Sequence, residues 1–445
     1  MRRIKNIKIV SAILAATIIG GSLIGCGSKS PTDDSKTSAA TKEKQTVTFW
    51  SWVPTDIQGK ALVEAFEKKY PDIKVDYWRG EQTDYQKKLQ VAMAAGEGPD
   101  VLGMQVGGML QQYASLLEPI KPLADKNWGT GWESKLVPAA VQQTKDKSGS
   151  VVALPINFTA QEFVLYNKTI FDKYGIKEIP KTYAQWKTIS DTLKKNGVIP
   201  VAFGAKDTWH DTDMFVALSN QFGPKKIYEA EAGKLAWTDK VFVDTLTAWK
   251  KIYDDKIFED GSLGVATYPD ARDQYYYSGK AAMFLTGSWH MSYFLPNGEK
   301  FGTKIENDET GMFILPQIGP NESKAVASVD TAVAINKSSK NKDAAWKLFS
   351  FITMEEGQQI MADFMQGSPS KLGVKVNNLD QIKFQSEKDS VNYVNDKVNN
   401  SIGKRLLDYP ELTEAIGNAM QEVAAGKKIE DALKNIQTVS DGIKR

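Results

Sequence analysis

The chain has 445 residues, of which 42% are hydrophobic and 10% aromatic; that exceeds one typical domain and suffices for more than one core, so two lobes are expected. The formal charge is +2, and four of the positive charges (Arg2, Arg3, Lys5 and Lys8) lie in the first 25 residues. The rest is slightly acidic and offers no net positive field to nucleic acid. With one cysteine and two histidines, a disulfide framework and a Cys/His metal cluster are both excluded as organising devices.

The basic start is followed by an apolar run from Ile9 to Ile19, then small residues up to Cys26. This is the pattern of an export signal, and it is too short to span a bilayer comfortably. Leu23-Ile24-Gly25-Cys26 resembles the bacterial lipobox, which implies cleavage before Cys26 and a lipid on its thiol. Residues 1–25 are then a signal peptide, and the protein is lipid-anchored on the extracytoplasmic face of the cell membrane. Residues 26–45, rich in Ser, Thr, Lys and Asp, are expected to be a flexible tether.

Folding is expected to begin at Thr46-Val47-Thr48-Phe49-Trp50-Ser51-Trp52, a strand by alternation that Pro54 stops. A helix over 59–70, a strand over 73–78, a helix over 85–95 and a strand at 101–104 follow, which is a parallel α/β pattern. Ligands bind beyond the carboxyl ends of such strands, where this chain carries Trp52, Gln82 and Gln105. Further strands are expected at 151–157, 163–168 and 199–204. Thr182 and Gln185 form a capping box for a helix. The stretch 206–211, with Trp209, His210 and Asp211, is expected to be a loop. A helix at 268–278 and a buried strand at 281–285 lead to a sharp turn at Gly287-Ser288-Trp289. Strands at 312–316 and 332–335, helices at 342–352 and 356–364, a loop at 366–370 and a helix at 411–425 complete the order.

Several segments, in this order, resemble one family. They are Ala94-Ala95-Gly96-Glu97-Gly98-Pro99-Asp100-Val101, then Tyr166-Asn167-Lys168 with Phe171, Pro180-Lys181-Thr182 and Trp186. Gly279-Lys280-Ala281-Ala282-Met283 with Gly287-Ser288-Trp289 is the most diagnostic, and 334–341 with Ala344-Ala345-Trp346 is the last. Together they are similar to the extracellular solute-binding proteins of ABC importers, in the family that includes maltose- and oligosaccharide-binding proteins. The resemblance implies an α/β, two-lobed, periplasmic-binding-protein-like (type II) fold with a hinge crossed more than once. Residues 46–157 and 316–351 would form the N-terminal lobe, 158–315 and 352–445 the C-terminal lobe. It also implies a monomer that closes on its solute and docks on permease subunits. Members often place a further aromatic in the cleft near the C-terminus; Ser401-Ile402-Gly403-Lys404-Arg405 offers none, and that wall stays unassigned.

A neutral sugar needs flat aromatic faces for its C–H surfaces and planar polar groups for its hydroxyls. Trp52, Trp209 and Trp289 are the candidate stacking residues. Gln82, Gln105, Asn157, Asp211 and Asp330 are the candidate hydroxyl partners, with Gln366 and Ser368 reaching in from the late loop. Trp186, Trp249 and Trp346 lie inside expected helices and are assigned to cores, while Trp50 fits either role. No catalytic residue, cofactor or metal site is singled out, and the expected function is a carbohydrate-binding receptor rather than an enzyme. Two alternatives stand beside it: capture of a charged solute such as a polyamine or organic phosphate on the same fold, and a secreted glycan hydrolase.

Overall fold

The computed structural model describes residues 44–445 except Asn297 and Gln366; the leader, Cys26 and most of the tether lie outside them. Strand β1 (Gln45–Ser51) buries Val47, Phe49 and Ser51 and leaves Thr48 and Trp50 half-buried, the alternation expected of it. It pairs in parallel with β2 (Ile73–Arg79) and β3 (Val101–Met104). A helix over Asp56–Lys69 connects β1 to β2, and one over Gln82–Ala95 connects β2 to β3. The two-residue β4 (Leu154–Pro155) and the later β10 (Ala332–Ile335) complete a sheet of order β2-β1-β3-β10-β4. The Gly-Pro-Asp turn has a plain structural use. Asp100 accepts from the Thr48 backbone and hydroxyl at 2.9 Å each and from Ser339 Oγ at 2.6 Å, which pins β1 to the loop after β10.

The second sheet is organised on β5 (Asn157–Asn167), whose 11 residues are nearly all buried. On one side it pairs with β9 (Val326–Val329) and β8 (Thr310–Ile314), on the other with β7 (Ala281–Gly287) and β11 (Ser368–Pro369); β6 (Ile199–Ala202) is parallel to β7. Thr182 caps the helix Tyr183–Lys195 in the expected box with Gln185. Trp186 and Trp249 are fully buried in the core of this lobe, while Trp346 packs against the core of the first. Helix Pro410–Ala424 lies on helix Thr208–Phe222, burying Ile416 and Met420 among Met214 and Leu218.

The chain passes between the sheets three times, at Ile156, at Asp330-Thr331 and between helix Glu356–Asp363 and β11. The crossings are bonded to one another: the Ile156 amide donates to Thr331 O at 2.9 Å, and Gln358 Nε2 donates to the carbonyls of Pro155 and Ile156. Two of the expected lobe boundaries move. Residues 326–329 still pair with β5, so the return to the first lobe comes near 330 rather than at 316. Helix Glu356–Asp363 still belongs to the first lobe, because Met361 is buried in the cluster of Phe66 and Phe351. The stretch 206–211 is also not all loop, since a helix starts at Thr208.

Candidate functional site

Between the sheets lies a chamber lined from both lobes. The first lobe contributes Trp52, Val53, Thr55, Arg79, Glu81 and Gln82. The second contributes Trp209, Tyr268, Arg272, Trp289, His290, Glu299 and Arg405, and Asp330 enters from a crossing. Trp52 follows directly on β1, and its ring packs on Tyr85 with centroids 5.3 Å apart. Gln82 opens its helix with a buried Nε2 that has no hydrogen-bond partner in the protein, a donor left for something else.

The second-lobe aromatics are held by local chemistry. Asp207, at the start of the Trp209 helix, accepts from the Thr267 amide at 2.7 Å, and the Thr267 hydroxyl donates to Gly204 O at 2.9 Å. A Cβ on Gly204 would meet Thr267 N at 2.1 Å, so the approach requires glycine. Tied this way, the rings of Trp209 and Tyr268 lie nearly parallel, 12° apart with centroids at 6.1 Å. The segment Thr267–Tyr276 is a wide helix with i→i+5 bonds, such as Ala271 N to Ala266 O at 2.9 Å, a geometry that often accompanies functional sites. Trp289 follows the turn at Gly287, and its Nε1 donates to Tyr268 Oη at 2.8 Å.

Every guanidinium in the chamber meets a carboxylate of the protein. Arg79 donates to both oxygens of Glu81 at 3.2 Å. Arg272 donates to Asp273 at 2.6 Å and lies 3.7 Å from Glu81 on the opposite lobe and 3.9 Å from Glu299. Arg405, 2% exposed, donates to Asp330 at 2.6 Å and to Thr159 Oγ1 at 3.3 Å, and sits 3.6 Å from Asp213 and 5.1 Å from the centre of the Trp289 ring. Burial pushes the Asp213 carboxyl up to about 7, against the pull of Arg405 and with Asp330 adding to the rise. Burial also lowers His290 to about 4, so at neutral pH it is an uncharged neighbour of Glu299. Three arginines and three carboxylates thus line a chamber without an unpaired charge among the described residues.

Of the residues expected at a site, Trp52, Gln82, Trp209, Trp289 and Asp330 line this chamber. Gln105 lines a neighbouring cavity and donates to Asp330 at 3.4 Å. Asn157 is buried at the start of β5, outside the lining. Asp211 is displaced from the cleft: it is fully buried and accepts from Gln421 Nε2 at 3.0 Å, joining two packed helices, and burial holds its carboxyl well above the usual range. Its neighbour His210 is likewise buried, against Thr267 Oγ1 at 3.1 Å, and is lowered to about 3 by burial. Ser368 lines a different cavity in the second lobe and donates to Asn395, since β11 binds its segment to β5. Gln366 lies outside the described residues. Trp50 packs on Trp78 beneath Lys88, away from the chamber. Sequence reasoning missed Tyr268, Arg79, Glu81, Arg272, Glu299 and Arg405. Only Tyr268 carried a local signal, an aromatic at the start of an expected helix.

Two α/β lobes joined by three crossings around an aromatic chamber define a type II periplasmic-binding-protein fold. Maltose-bound MalE3 of T. maritima superposes with a TM-score of 0.72 at 22% identity, over 89% of this chain and 99% of that one. Residues 55–359 match the family model of the bacterial extracellular solute-binding proteins, and the chain belongs to that family. An uncharacterised ABC transporter extracellular-binding protein of Pyrococcus horikoshii is 28% identical over 385 residues, 85% of this chain and 82% of its own length. The melibiose/raffinose/stachyose-binding protein MelE of Bacillus subtilis is 31% identical over 194 residues, 42% of this chain and 41% of its own length.

Proposed function

We propose that this protein is the carbohydrate receptor of an ABC importer. It captures a neutral saccharide between its lobes, closes on it and delivers it unaltered to the permease, as a monomer tethered through lipid on Cys26. The observation that carries the reading is the pairing of aromatic faces with internally balanced charge. Trp52, Trp209, Tyr268 and Trp289 offer flat apolar surfaces, while each arginine is already matched by a carboxylate. Such a chamber favours a ligand with C–H faces and hydroxyls over an ion, which would disturb pairs already formed. A cationic solute would need a free carboxylate; Asp211 is buried behind Gln421 and Asp330 is engaged by Arg405. The names of similar proteins, among them the stachyose/raffinose binder, agree with the saccharide reading.

The test is titration of the purified chain with mono- and oligosaccharides, read by tryptophan fluorescence and by melting temperature. Saturable quenching with a rise in melting temperature, and recovery of unchanged sugar, is expected. Response only to polyamines or organic phosphates overturns the carbohydrate reading, and cleavage of the sugar overturns the receptor role.

A further inference from the structure

The chamber shares Thr55, Arg79, Arg272 and Glu299 with one further cavity between the lobes, and Trp209 and Arg405 with a second. The second has a lining that includes amides and hydroxyls: Gln86 and Gln90 from one first-lobe helix and Gln112 from another, with Thr208, Thr212 and Thr413 of the second lobe. Among the described residues only Trp209 and Arg405 line both the chamber and this second cavity. Behind them the wall is bonded across the lobes, because Asp330 accepts from Arg405 at 2.6 Å on one side and from Gln105 at 3.4 Å on the other. Arg405 is further fixed by Thr159 and by the face of Trp289. It is the very residue that stands where the sequence left the cleft wall unassigned.

Resting on the saccharide reading, we propose that Arg405 and Trp209 form a partition that sets ligand length. The tryptophan chamber then takes a short saccharide whose end abuts the guanidinium, and the amide-lined cavity beyond is closed to it. The second cavity has the polar groups a sugar chain needs, namely planar amides and hydroxyls on opposing walls. Between the two stand the side chains of Arg405 and Trp209, which line both. Removing the barrier joins the two volumes and converts a short-ligand site into one for a longer chain. Arg405 is therefore a specificity-determining residue.

The experiment compares wild type with two variants over homologous series of malto-, xylo- and galactosyl-sucrose oligosaccharides, by calorimetric titration. One variant is Arg405→Ala combined with Asp330→Asn and Asp213→Asn, so that neither carboxyl beside the guanidinium is left buried without it. The other is Trp209→Ala, which opens the partition from its exposed side should the first fail to fold. Wild type is expected to bind the short members and gain nothing from added rings. Each variant is expected to shift the long-to-short affinity ratio about tenfold toward the long members, the effect of one or two new polar contacts. Gln112→Ala is expected to leave wild-type binding unchanged and to erase that gain in the variant background. Variants that keep the wild-type length profile, or a wild type whose affinity rises with every added ring, overturn the partition while leaving the saccharide reading intact. Absence of binding by wild type across all series overturns both.

Discussion

The indole N–H of Trp289 donates to the hydroxyl of Tyr268 at 2.8 Å, and that hydroxyl lies 3.1 Å from Thr286 Oγ1, which in turn contacts His290 Nδ1 at 2.8 Å. A chain of polar contacts behind the rings thus fixes two of the chamber's flat surfaces. Trp289→Ala should lower saccharide affinity by about 2 kcal/mol, roughly 30-fold, through loss of stacked apolar area. Tyr268→Phe, which keeps its ring but frees the indole, should cost about 1 kcal/mol. Calorimetric titration separates the two, and circular dichroism checks that the fold is kept.

Gly287 serves Trp289 by its lack of a side chain. A Cβ there would meet the indole at 2.1 Å, against φ of −131°, so space and not backbone freedom is what demands glycine. Gly287→Ala should displace the ring and weaken saccharide binding about tenfold, with a smaller effect on melting temperature than on affinity.

Arg272 and Glu81 approach to 3.7 Å from opposite lobes. Both are partly solvated, so the pair should contribute about 1 kcal/mol or less to closure. Glu81→Gln should weaken saccharide binding a few-fold, and the gap between wild type and variant should narrow as salt is raised. A gap that stays constant with salt would argue against an electrostatic role.

Glu259 is buried away from the chamber, with one oxygen accepting from the Phe203 amide at 2.8 Å, and burial raises its carboxyl to about 8. The unfolded carboxyl titrates near 4.3. Between these values the folded protein holds a proton that the unfolded chain has released, so stability declines as pH climbs through that window. Glu259→Gln, which keeps the acceptor without the charge, should flatten the decline and stabilise above pH 8 by on the order of 2 kcal/mol. Melting temperatures of both proteins from pH 4 to 9 would show it; parallel curves would contradict it.

The first lobe was the more legible half. Its strands alternate or run unbroken, its helices carry periodic apolar residues, and Trp52 stands where a strand must end before Pro54. The second lobe hid more, because its site residues come from helices whose facing is set by distant packing. Trp209 and Asp211 illustrate this: once a helix starts at Thr208, two residues of separation turn their side chains about 200° apart. One faces the chamber and the other meets Gln421. Asp213, four residues after Trp209, shares its face and lines the second cavity. Arg405 had no local mark at all, since its partners Thr159, Asp213 and Asp330 are all at least 75 residues away in sequence. The late return of the chain at 330 was missed for a related reason: β9 is only four residues long and earns its place solely by continuing the edge of β8.

Strand β10 sits between β3 and β4, although some 180 residues of the other lobe are made between β4 and β10. A chain emerging from the ribosome therefore holds two unmatched strand edges until nearly three quarters of it has been synthesised. No fragment ending before β10 can assemble the first lobe.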